Sequence, residues 1–165
     1  MDFPRFWRHI VTTPFAVARS FPPSTLDAIQ REVAAQEAQH RGEIRFVVEA
    51  ELTTAQLLRG LQPRERARQV FALQGVWNTE ENIGVLVYVL LADRAVEIVA
   101  DRGISARVGE AEWAAVCRAM EAGFRAGRFE EGAVEGVRAV AAVLGRHFPG
   151  RVTSRNELPD RPLVM

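Results

Sequence analysis

A chain of 165 residues, 48% hydrophobic and 25% charged, carries enough apolar surface for one packed domain and too little length for two full ones. Its 21 acidic residues cancel its 21 basic ones, which excludes a net field toward nucleic acid, and no nucleic-acid partner is expected. The single cysteine, Cys117, excludes an intramolecular disulfide, and the longest apolar run, Ile83 to Ala92, falls short of the ~20 residues that cross a bilayer as a helix.

Residues 1–23 form an amphipathic N-terminal segment, with Phe3, Phe6, Trp7, Ile10 and Val11 at helical spacing and Arg5, Arg8 and His9 between them. Pro14 and the Pro22-Pro23 pair interrupt it, so a helix should end near Thr12 or Thr13. The segment has no apolar run followed by a small-residue cleavage site, so the expected location is cytoplasmic, with a peripheral place at the inner membrane as the alternative. Its apolar face could cover the domain's own core, meet a protein partner or lie on a membrane surface, with residues 1–13 as the contact.

Ser24 and Asp27 fit a capping box ahead of Leu26, Ile29 and Val33, which predicts a helix to about His40, closed by Gly42. From Glu43 the period becomes two, with Ile44, Phe46, Val48 and Ala50 on one side of a strand. Pro63 starts a further helix with Ala67, Val70 and Phe71 inward, and Gly75 closes it. Arg64, Arg66 and Arg68 then fall on a solvated outer face. The apolar run around Tyr88, a turn at Asp93-Arg94 and Val96 to Val99 predict a β-hairpin. Two helices follow. Trp113, Val116, Cys117, Met120 and Phe124 mark the inner side of one; Phe129, Ala133, Val137, Val140, Ala141 and Leu144 mark the other. Trp113 and Cys117 are therefore expected as core residues rather than a binding aromatic and a nucleophile. His147-Phe148-Pro149-Gly150 ends the core domain, 24–149, and leaves 150–165 as a loose C-terminal tail. The order predicts an α/β fold, a small mixed β-sheet covered by helices on both faces.

No Gly-rich phosphate loop, HExxH or GxSxG occurs, and the three histidines lie in separate segments without a zinc pattern. A strand-helix-strand unit makes its strands parallel, which puts Glu43 at the same end of the sheet as the loop from Thr79 through Glu80 and Glu81 to Asn82. The hairpin returns Asp101 to that end. Such oxygen donors suit a hard divalent cation, calcium first, with magnesium or manganese as alternatives. The same residues also read as solvated loop acids beside a turn-forming Asp-Arg-Gly.

Four stretches carry a family resemblance: Gly42-Glu43-Ile44-Arg45-Phe46, the run from Trp77 to Leu86, the run from Val96 to Ile104, and His147-Phe148-Pro149. Over about residues 26–149 the chain resembles the TPM-domain family, most specifically in the Thr79-to-Leu86 loop and strand and in Asp101-Arg102-Gly103-Ile104. The resemblance implies an α/β/α sandwich. Some thylakoid relatives are described as acid phosphatases, some bacterial relatives bind calcium, and most have no established reaction. Carried over, the acidic loop positions correspond to Asp101 and Thr79 to Asn82, whereas Glu43 rests on the topology argument. Ile83 stands where relatives often have a second Asn. Three functions follow as expectations: a cation-binding regulatory or interaction domain, a metal-dependent acid phosphatase with Arg102 at the phosphate, or an envelope-associated interaction module.

Overall fold

The structure is a computed structural model that describes residues 3–12, 14–150 and 156–165. Its elements, in chain order, are α1 (Phe3–Val11), α2 (Pro14–Ser20), α3 (Pro23–Glu37), β1 (Glu43–Glu49), α4 (Thr54–Leu58), α5 (Pro63–Leu73), β2 (Gly84–Leu90), β3 (Ala95–Ala100), α6 (Arg102–Ser105), α7 (Glu110–Arg125), α8 (Phe129–His147) and β4 (Leu163–Val164). The strands form one mixed sheet in the order β3-β2-β1-β4. β1 runs parallel to β2 and to β4, and β2 pairs antiparallel with β3. Among the described residues no helix is long and apolar enough to cross a membrane.

Alternation within the strands builds two cores. Ile44, Phe46 and Val48 of β1, with Val85, Val87 and Val89 of β2, face α3, α7 and α8. Val47, Leu86, Tyr88, Leu90 and Val99 face α4 and α5 on the other side. Helices thus cover both faces, as the pattern predicts. Trp113 is buried among the larger core, and burial with the nearby Glu97 and Glu121 charges pushes the Cys117 thiol up to about 12, far from nucleophilic range.

The N-terminal segment is not set apart from the body. Val17 and Phe21 belong to the larger core, and Phe21 meets the rings of Phe46, Phe124 and Phe129 at 5.6–6.5 Å between centroids. α1 ends at Val11, close to the expected Thr12, and Pro14 then starts α2, where its missing N–H is no loss in the first turn. The helix expected from Ser24 begins at Pro23 instead, with Pro22 at the N-cap, whose side chain has no acceptor to offer.

Over 156–165 the C-terminal tail is not loose; residues 151–155 lie outside the described residues. β4 adds to the edge of β1, with bonds from Ala50 N to Met165 O and from Met165 N to Val48 O. Leu158 is buried, and Arg45 donates to the carbonyls of Pro159 and Arg161 at 3.0 and 2.6 Å. Pairing needs only two residues here, too short a run to show period-two patterning. The opposite edge is closed by side chains: Glu121 accepts from Val96 N, Arg64 donates to Ile98 O and Ser105 to Ala100 O. Capping of this kind removes the template that a bare edge strand offers to other chains.

Arg66 departs from the expected solvated face. It is buried on the α5 side of the sheet, where Nε and Nη2 hold the Glu49 carboxylate at 2.9 and 2.7 Å and Tyr88 donates to Glu49 at 2.5 Å. Burial, then the Glu49 charge, drives the Tyr88 hydroxyl far above its usual range, so it stays a donor.

Candidate functional site

The start of β1, the start of β2 and the end of β3 lie side by side. Glu43 pairs with Gly84, and Asp101 N donates to Gly84 O at 2.9 Å. Residues in one pleat position across neighbouring strands share a face, so Glu43 and Asp101 stand on the α5 side with Gly84 between them. That gap is filled by backbone: a Cβ on Gly84 would lie 2.1 Å from Val76 O. The segment leading into the Thr79-to-Asn82 loop therefore passes over Gly84 and separates the two carboxylates.

Glu43 is fully engaged by the tail. Its carboxylate accepts from Glu157 N at 3.0 Å and Leu158 N at 2.6 Å. Burial raises its pKa, partly offset by those two donors. Beside it, Glu37 accepts from Ile44 N at 2.6 Å and shares a hydrogen bond with Asp160. Burial, then the neighbouring Asp160 and Glu43 charges, pushes the Glu37 carboxyl up to about 8. Glu37, Glu43 and Asp160 line a cavity of about 210 Å³ together with Asn156. Glu37 and Asp160 escape a sequence reading because one ends a helix and the other sits in a segment without periodicity; proximity to Glu43 appears only once the tail folds back.

The loop residues are held more locally. Thr79 Oγ1 accepts from Ile83 N at 3.1 Å, Glu80 N donates to Glu157, and Glu81 pairs with Arg41. Asn82 adopts a left-handed backbone with φ 55°, which Asn tolerates better than most residues, and its Oδ1 accepts from Nε and Nη2 of Arg102 at 3.2 and 2.9 Å. The predicted six-residue set is thus divided: Glu43 is held by the tail and Glu81 by Arg41, while Asp101 and Asn82 remain at one corner. Among the described residues no three His, Cys, Asp or Glu side chains gather closely enough to hold a metal ion.

Asp101 is the unusual member. It is 6% exposed, its Oδ1 caps α6 by accepting from Arg102 N at 2.7 Å, and its buried Oδ2 has no hydrogen-bond partner among the described residues. A buried carboxylate oxygen without a donor is costly and rare. Nearby, a Cβ on Gly103 would lie 2.5 Å from Asn82 O and 3.5 Å from Glu81 O, so the glycine admits two carbonyl oxygens to the start of α6. The corner offers one carboxylate oxygen and neutral oxygens, the donor chemistry of a hard cation.

Comparisons with known proteins agree with this framework. The structure of the BA42 protein from the psychrophilic bacterium Bizionia argentinensis superposes with a TM-score of 0.75 at 27% identity, covering 86% of this chain and 93% of that one. The N-terminal domain of a protein from P. gingivalis shares the fold, with a TM-score of 0.59 at 23% identity and 76% of each chain covered. A search of curated proteins finds no match. The family model described as the TPM domain matches residues 16–143, which include Glu43, the Thr79-to-Asn82 loop and Asp101, and on that match the chain belongs to the TPM-domain family.

Proposed function

We propose that this TPM domain binds a divalent cation, calcium by preference, at the Asp101 corner, and that the cation serves a regulatory or interaction role by fixing the loop from Val76 to Asn82. The unpartnered buried Oδ2 of Asp101 supports the reading. Asp101, together with carbonyl oxygens of Glu81 and Asn82, would hold the ion. Magnesium or manganese would meet the same donors, although magnesium gives up its water less readily. With a single carboxylate, affinity belongs at the weak end of calcium sites, about 10⁻⁴–10⁻³ M.

The loop that such an ion would steady carries Trp77, 55% exposed, an aromatic placed for a partner surface. Amide shifts of labelled protein test the reading. Calcium should move Asn82, Arg102 and Gly103 first and in a saturable way; shifts spread evenly over acidic surface residues, or none, would refute it.

A further inference from the structure

α1 docks through Arg5, Phe6 and His9 and leaves a second, apolar side in solvent. Phe3, Trp7, Ile10 and Val11 follow an i, i+4, i+7, i+8 stripe and are 68%, 59%, 52% and 54% exposed; Phe15, at the start of α2, is 84% exposed. The opposite side holds the helix in place. Arg5 donates from Nε and Nη2 to Asp93 and from Nη2 to Leu61 O at 2.7 Å. His9, 2% exposed, accepts from Leu52 N at 2.9 Å through Nδ1 and sets Nε2 3.1 Å from Asp93. Burial alone would raise the Asp93 carboxyl, but Arg5 and His9 outweigh it and hold it below its usual range, so the anchor stays ionised. The apolar stripe is therefore presented by a built anchor.

The exposed charge of this face is mainly cationic, its acid Asp93 being nearly buried against Arg5, Arg8 and His9. From Asp2 to Pro22 the charged residues are Asp2, Arg5, Arg8 and Arg19, with His9 among them, a net positive stretch in a chain whose charges balance overall. Arg8 is half-exposed, and Arg94 and Arg125 line a cleft of about 420 Å³ whose facing wall is Thr12, Ala16 and Ser20. Arg94 is exposed and its guanidinium makes no hydrogen bond or ion pair among the described residues. Glu121, the acid in that cleft, is taken up by Val96 N and Arg125. A second copy meeting this face symmetrically would set cationic rim against cationic rim. An anionic lipid surface instead satisfies both features, with Trp and Phe at the boundary of headgroup and acyl chain and Arg at the phosphates.

We propose that the α1–α2 face seats the protein on anionic membranes, with Phe3, Trp7, Ile10 and Phe15 inserted at the lipid interface and Arg8, Arg19 and Arg94 on the phosphates. Flotation of the full chain with phosphatidylcholine vesicles, with and without phosphatidylglycerol, tests it. The protein should float with the anionic vesicles and be released by salt. Trp7→Glu should weaken binding at least about tenfold while leaving the melting temperature nearly unchanged, because the residue is 59% exposed. Arg8→Glu combined with Arg19→Glu should remove the preference for anionic lipid. Absence of flotation, equal flotation of Trp7→Glu and parent, or a concentration-dependent dimer abolished by Trp7→Glu would overturn the proposal, the last by giving the face to a second copy.

Discussion

Val76 O lies over Gly84 so closely that a Cβ there would stand 2.1 Å away. This one contact decides the shape of the candidate site, since it threads backbone between Glu43 and Asp101. Gly84→Ala cannot be relieved by a rotamer change, because the neighbour is backbone. The substitution is expected to cost about 3 kcal/mol or more, read as a fall in the denaturant midpoint. It should also disturb the amides of Trp77 to Asn82 before those of α8.

The Glu49-Arg66-Tyr88 group predicts an asymmetric response. Arg66→Met strands a buried carboxylate and should destabilise by about 3–5 kcal/mol, whereas adding Glu49→Leu should recover much of the loss, because a fully apolar replacement leaves no charge unpaired. Tyr88→Phe removes one donor and should cost about 1–2 kcal/mol. Chemical denaturation of Arg66→Met, Tyr88→Phe and the Arg66→Met/Glu49→Leu double variant checks each value; a double variant no more stable than Arg66→Met would contradict the stranded-charge account.

Glu37 predicts a pH dependence with a definite sign. Its folded pKa, about 8, lies above the ordinary 4.5, so between those values the folded state holds a proton that the unfolded chain has released. Its contribution is fully present below about 4.5 and is lost as pH rises through 8. Glu37→Gln keeps an acceptor for Ile44 N and removes the titration. The variant should gain about 1–2 kcal/mol relative to the parent on going from pH 5 to pH 9, the shift being discounted for the partial exposure of the group. Melting curves across that range check it, and a constant difference would show that Glu37 does not titrate there.

Much of this architecture is legible in the residues. Period-two apolar spacing from Glu43, the unbroken run around Tyr88 and the inner stripes of α7 and α8 each report burial directly, and the parallel crossover then places Glu43, the Thr79 loop and Asp101 at one end of the sheet. What escapes is set by contacts distant in sequence. Nothing local marks Arg66 as buried among outward arginines, because its partner Glu49 lies on a strand that precedes it. Nothing local shows that Glu157 and Leu158 return to claim Glu43. The N-terminal segment is half legible: its amphipathic period is plain, yet which side docks depends on Asp93, in a turn 88 residues beyond Arg5.

The cation reading is tested most directly by thermal shift on metal-stripped protein titrated with calcium, beside Asp101→Asn. The variant keeps an oxygen to cap Arg102 N and removes only the charge, so its fold should be preserved. A saturable rise in melting temperature in the parent, absent from Asp101→Asn, is the predicted result. A flat response in the parent, or equal shifts in both proteins, would contradict cation binding at Asp101.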